Sequence, residues 1–168
     1  FVGDLCDHPA AMWYLSKALA AASVAASAGF LYLALRTLLN RLSALFLAVA
    51  YALGTSVWTT SSQGLWQHGP VELLLAISLW LICDGRGSAR HAETLAVLLG
   101  AATICRPTIA LFVIAVGIHL LRTDRSAALR YVVAGLPLAL FLAAYNQASF
   151  GSPFRTGEAL VLDHALEK

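Results

Sequence analysis

The sequence predicts an all-α, polytopic transmembrane helical protein with about six membrane segments, and three observations lead there. The first is composition: 60% of the 168 residues are hydrophobic, 12% are charged, and the mean hydropathy is +0.76. A soluble domain carries about 25% charged residues, and a soluble core of this size could not bury so much apolar side chain, so lipid is the expected solvent. The second is pattern, because the apolar residues fall into long runs separated by short polar, Gly- or Pro-containing breaks. The third is sidedness, since the basic residues gather in alternate breaks. The net charge of +2 is too small to indicate a partner.

Taken in order, the first apolar run spans Trp13 to Leu35 and stops at Arg36, Asn40 and Arg41. The second spans Leu42 to Trp58 and stops at Thr59-Thr60-Ser61-Ser62-Gln63. The third opens at Gly69-Pro70 and closes at Cys83, before Asp84-Gly85-Arg86-Gly87-Ser88. Pro at a first helical position and glycine beyond the end are ordinary helix boundaries. The final run covers Tyr131 to Asn146, leaving 147–168 as a tail.

The stretch from Thr94 to Leu121 allows two readings. As one tilted helix it would set Arg106 near the bilayer centre, at a cost of about 2.5–3.5 kcal/mol, with Pro107 removing a hydrogen bond and disfavouring helix at Arg106. As two short spans it would form a hairpin with its tip at Arg106-Pro107. Positive-inside bias favours the hairpin: Arg36, Arg41, Arg86, Arg90, Arg122, Arg125 and Arg130 then share one side, seven of the eleven basic residues. Both arms fall at or below the roughly 17 residues a span needs, which is tolerable where the turn lines a wet, protein-walled cleft. Both chain ends and the tail then lie on the non-cytoplasmic side. Residues 1–168 read as a single transmembrane domain and, opening at Phe1 with no signal-like segment before the first run, as a fragment of a larger one.

That topology collects the chemistry-bearing side chains on the outer face: Asp4, Asp7, Gln63, Trp66, Gln67, His68, Glu72 and Arg106. The connection through Gln63, Trp66, Gln67 and His68 carries more polar and aromatic residues than a plain turn requires. It reads either as an interfacial tryptophan belt (Trp58, Trp66) with capping by Glu72 in the first helical turn, or as a ligand-contacting loop. Arg106 is either a snorkelling arginine or a phosphate clamp, and its place at a hairpin tip favours the clamp. Asp4, Asp7 and His8 have the types of an acid, base or metal ligand but lie at a chain end, where a solvated loop is the plainer account. Lys17 can snorkel, Glu93 and His91 read as interfacial caps, and His119 reads as a packing residue.

Three cysteines, Cys6, Cys83 and Cys105, have no metal-ligand spacing and imply no disulfide framework. No motif calls for a cofactor, and a divalent metal is left open. No phosphate loop, nucleophile elbow or HExxH sequence occurs, nor any nucleic-acid signature.

Three motifs together resemble a known family. They are Gly54-Thr55-Ser56-Val57-Trp58 followed by Leu65-Trp66-Gln67-His68-Gly69-Pro70; Cys105-Arg106-Pro107-Thr108; and Tyr145-Asn146 with Phe150-Gly151-Ser152-Pro153-Phe154-Arg155-Thr156-Gly157. In order and spacing they are similar to bacterial membrane proteins of the GT-C superfamily. The nearest group is glycosyltransferase family 39-like, the relatives of protein O-mannosyltransferases and aminoarabinose transferases. The resemblance implies a transferase that moves a sugar from a polyprenyl-phosphate carrier to an acceptor at the outer face of the bacterial inner membrane. Membrane lipid and the lipid-linked sugar would be its partners; the acceptor is not specified. Arg106 matches the basic position near the carrier phosphate, and Gln67 and His68 match the outer loop lining the cleft. The family's general base is an acid in the first outer loop, just after the first span; this chain reads as starting beyond that point, so Asp4 and Asp7 are only weak candidates for it. Glu158 stands where relatives often carry Tyr, and the family's large C-terminal part is missing. A transporter or flippase-like component that binds an anionic or lipid-linked substrate without chemistry is the alternative, and a non-catalytic scaffold is a third reading.

Overall fold

The computed structural model describes residues 9–64, 67–83 and 88–155. Among them all regular structure is helical, and the chain divides into two compact units, Phe1–His91 and Ala92–Lys168.

In the first unit α1 covers Pro9–Leu38, α2 Arg41–Gly54 and α3 His68–Cys83, with a π-helical turn at Val57–Ser61 and a short 3-10 turn at Ser88–His91. Asn40 makes the first reversal, because its side chain accepts a hydrogen bond from the Ser43 N–H at 2.9 Å and so caps α2. The core face of α1 is built from small residues: Ala20, Val24, Ser27 and Ala34 are buried, and α3 answers with Gly69, Val71, Ala76 and Ser78. Small side chains let backbones approach closely, which is how helices associate where lipid removes the hydrophobic drive. Ser23 lies beside Gly69, and farther along, the Phe30 ring sits 5.6 Å from the Trp80 ring. The two helices therefore run parallel. Between them in sequence α2 runs back, and its Tyr51 hydroxyl meets the Ser27 hydroxyl at 3.2 Å. Ser27 donates its own proton to the Val24 carbonyl at 2.8 Å, leaving Tyr51 as the donor across the helices.

In the second unit α4 covers Ala92–Cys105, α5 Ala110–Thr123 and α6 Arg125–Phe150, with a 3-10 turn at Pro107–Ile109. Glu93 pairs with Arg130 at 2.9 Å; Gly135 lies beside Ala96 and Gly100 beside Leu138, so α4 and α6 are parallel. A Cβ at position 100 would fall 2.7 Å from the tip of Leu138, which makes glycine the condition for this approach. The Tyr131 hydroxyl of α6 donates to the Val113 carbonyl of α5 at 3.1 Å, and its ring lies against Gly117. With the one-residue turn at Asp124, this makes α5 antiparallel to α6, and hence to α4. Asp124 accepts from the N–H groups of Ser126 (2.9 Å) and Ala127 (3.2 Å), and those two amides hold its carboxyl below the usual carboxylate range. Pro137 is carried inside α6.

Among the described residues, only α1 (from Ala10) and α6 are long and apolar enough, by length and composition, to cross a membrane by themselves. Six full spans are expected from the sequence, whereas α2, α4 and α5 have 14 residues each, about 21 Å of helix. The shortfall has identifiable causes: α2 gives way to the π-turn before its apolar run ends, and Arg106-Pro107 divides the run that follows Thr94. The outer helices instead extend beyond their apolar runs, α1 back to Pro9 and α6 back to Arg125.

Candidate functional site

The polar connection after α2 is an organised structure. Thr55 Oγ1 donates to the Tyr51 carbonyl at 2.7 Å and accepts from the Val57 N–H at 3.3 Å, closing α2. The chain then widens into the π-turn, where the Ser62 N–H reaches the Val57 carbonyl at 3.1 Å and the Ser62 hydroxyl bonds to the Trp58 carbonyl. π-turns recur at functional sites because they re-aim side chains that an α-helix would direct elsewhere. Here the re-aimed side chain is Ser61, which is 2% exposed.

The Ser61 hydroxyl donates to Glu72 Oε1 at 2.7 Å, joining the π-turn to α3 across eleven residues. Gly69 makes the same junction from the other side, since a Cβ there would stand 3.4 Å from the Ser61 carbonyl oxygen. The sequence assigns Glu72 to a first helical turn, with a capping role. The helix in fact starts at His68, which leaves Glu72 beyond the first turn, and its carboxylate faces Ser61 rather than the helix amides. Glu72 Oε2 is out of solvent and, among the described residues, has no hydrogen-bond partner. A buried carboxylate oxygen without a donor costs about 1–3 kcal/mol or more.

Of the other expected site residues in this unit, Gln63 is exposed, its amide 3.4 Å from the Ser62 hydroxyl. Gln67 is exposed, and its carbonyl accepts from the Val71 N–H at 3.3 Å. His68 is half-buried at the first residue of α3. Trp66, Asp4 and Asp7 lie outside the described residues. Lys17 stacks over the Trp13 ring at 4.1 Å, a cation–π contact that adds to the snorkelling expected of it.

Arg106 occupies the break in the second unit. Its backbone is extended (φ −144°, ψ 108°), its N–H still closes the last turn of α4 on the Ala102 carbonyl at 2.9 Å, and its carbonyl accepts from Ile109 at 3.0 Å to start the 3-10 turn. The residue before proline is pushed to extended backbone by the ring, so Pro107 explains why the helix stops here. The Arg106 side chain is half-buried with Nε out of solvent. Glu93, expected as an interfacial cap, stands in the first turn of α4 and also makes the ion pair with Arg130.

Ser61 is the site residue that the sequence does not single out. Its signal, a serine in a polar run that ends an apolar one, is the same as that of its neighbours Thr59, Thr60 and Ser62, and only the π-turn distinguishes it.

The second unit also holds an apolar cavity of about 450 Å³ between α4, α5 and α6, walled by Gly100, Thr103, Val113, Gly135 and Leu142 among others and reaching Phe154. Its few polar groups are occupied: Thr103 donates to the Leu99 carbonyl at 2.8 Å, and Tyr131 to Val113. The buried Asn146 ties the following turn down by donating to the Pro153 carbonyl at 3.1 Å.

No known family model matches the chain, and neither the curated proteins nor the solved structures contain a significant match to it.

Proposed function

We propose that this chain is part of a membrane glycosyltransferase that moves a sugar from a polyprenyl-phosphate carrier to an acceptor at the outer face of a bacterial inner membrane. One observation carries the reading. Arg106, the residue type suited to bidentate phosphate recognition, stands in an extended break between two antiparallel apolar helices, at the tip of their hairpin. The resemblance of the three motifs to the glycosyltransferase family 39-like group supports it.

In this reading all six helices are membrane segments, both ends of the chain are external, and the Arg106-Pro107 hairpin opens to the outer face. The short helices are tolerated because their broken ends line a wet cleft rather than lipid. Transfer is an inverting displacement at the anomeric carbon. A carboxylate takes the acceptor proton, while Arg106 stabilises charge developing on the departing lipid phosphate.

The test is Arg106→Ala in the full-length protein, with transfer of radiolabelled hexose from a polyprenyl-phosphate carrier followed in membranes. The expected loss is about 100-fold or more with unchanged expression. Unchanged turnover removes Arg106 from the mechanism. Carrier binding by the wild type without transfer would favour the transporter reading.

A further inference from the structure

The reversal between α1 and α2 brings two cations onto one neutral group. Arg36, in the last turn of α1, donates from Nη1 to the Tyr32 hydroxyl at 3.4 Å, and Arg41, the first residue of α2, reaches the same hydroxyl. A phenol can accept a hydrogen bond but cannot neutralise a guanidinium, and like charges held this close repel. Among the described residues of the first unit the one acid is Glu72, which is bonded to Ser61 beyond the far end of α2. Snorkelling accounts for an arginine at the end of a span; it does not require two to converge on one oxygen.

Tyr32 also walls an open apolar recess of about 430 Å³ on α1, with Ala26, Gly29, Phe30 and Leu33. Gly29 keeps the recess open, since a Cβ there would meet nothing within 4 Å, and Phe30 packs on the Trp80 ring of α3 at 5.6 Å. From Arg36 back to Ala26 the helix rises about 15 Å, half of a hydrocarbon core that is about 30 Å thick. Leu38, Leu39 and Leu42 at the reversal are exposed, where a water-facing turn would carry polar side chains.

We propose that this face of the first unit binds an anionic phospholipid, with its phosphodiester between Arg36 and Arg41 and one acyl chain along the recess at Gly29. Arginine makes charge-assisted, bidentate hydrogen bonds to phosphate oxygens, and one negative charge between two guanidinium groups turns their repulsion into attraction. Charge complementarity selects an anionic head, as basic pockets at the ends of membrane helices do, and the adjoining recess selects a chain attached to it. Tyr32 joins the two halves, its ring in the wall of the recess and its hydroxyl at the arginines. The site uses the first unit alone and is independent of the role given to Arg106. It needs only that α1 lie in a membrane, for which its length and composition suffice.

The experiment measures dissociation constants of the detergent-solubilised full chain, by native mass spectrometry, for dioleoyl phosphatidylglycerol and dioleoyl phosphatidylcholine. These lipids share their chains and phosphodiester and differ in the net charge of the head. Phosphatidylglycerol is expected to bind about tenfold tighter, the factor one charge-assisted hydrogen bond provides. Arg36→Gln/Arg41→Gln should abolish that preference; both side chains are exposed, and an unchanged thermal midpoint shows that the variant is folded. Should the double variant fail to fold, Arg41→Gln alone decides in its place, with a reduced preference expected. Gly29→Leu fills the recess without touching the arginines and should weaken both lipids several-fold while keeping the preference. Equal affinity for the two lipids in the wild type, or a preference that survives in the folded arginine variant, overturns the inference. Wild-type affinities in Gly29→Leu would remove the acyl chain from the recess and overturn it as well. Displacement of phosphatidylglycerol by an equal concentration of sn-glycerol 3-phosphate would put a free phosphate, and not a lipid, at the arginines, with the same consequence.

Discussion

The two units solve one packing problem with different means. Each has three helices, the outer two parallel and the middle one antiparallel. In the first unit small residues bring α1 and α3 together and buried hydrogen bonds are added to them: Tyr51 bonds Ser27, and Glu72 bonds Ser61 across a long connection containing a π-turn. In the second unit the reversals are short, the parallel pair closes on Gly100, Ala96 and Gly135, and the polar pair joining those helices, Glu93–Arg130, is half-exposed. Small-residue packing asks only for shape. Buried hydrogen bonds between helices ask for partners, and among the described residues Glu72 Oε2 of the first unit has none.

Substitutions at the two kinds of junction sharpen this contrast. The largest effect is expected from Gly100→Val, whose branched Cβ would enter space held by Leu138; overpacking of this sort costs about 1–3 kcal/mol or more and should lower the thermal midpoint of the detergent-solubilised chain by several degrees. Full retention of the midpoint would mean that α4 and α6 are not closely packed there. Ser61→Ala comes next, because it strands a buried carboxylate at a cost of about 1–3 kcal/mol. The double variant Ser61→Ala/Glu72→Leu should recover much of that loss, and a double variant no better than Ser61→Ala would deny that the pair acts as a unit. Asp124→Asn tests the tight turn of the second unit through pH. A carboxyl held below its unfolded value contributes stability present above the unfolded value and lost as pH falls through the folded one. The wild-type midpoint should therefore drop on acidification through the carboxylate range by more than that of Asp124→Asn, and parallel profiles would contradict the cap. The smallest effect is expected at Glu93→Gln, since a half-exposed ion pair contributes roughly 0–1 kcal/mol.

These contrasts also mark how far the sequence could be read. Helix existence was legible because the apolar runs are long and their breaks are chemically explicit: Arg36, Asn40 and Arg41 after the first, the polar stretch from Thr59 after the second, and Pro107 forcing Arg106 out of helix. The ends were less legible. Alanine-rich helix continues back to Pro9 ahead of the apolar run, while α2 stops at Gly54 although Val57 and Trp58 are still apolar. Of the candidate site, the polar connection and Arg106 were visible as residue types out of place among apolar neighbours. The Ser61–Glu72 bond was not, since it depends on a local widening of the helix and on α3 beginning at His68, two residues ahead of Pro70. Gly100 against Leu138 was likewise hidden, because nothing in the local pattern reports the helix packed across from it.

In the proposed function the Arg106-Pro107 break faces outward, in the compartment where a lipid-phosphate sugar would be used. Single-cysteine versions of the full-length protein, retaining Cys105 or Cys83, can be labelled in intact cells with a membrane-impermeant maleimide. Both thiols are unpaired and half-buried, so comparison with labelling after detergent corrects for burial. The account predicts that Cys105 labels from outside and that Cys83 labels only once the membrane is opened. Labelling of Cys83 from outside, with Cys105 reached only from within, would contradict it.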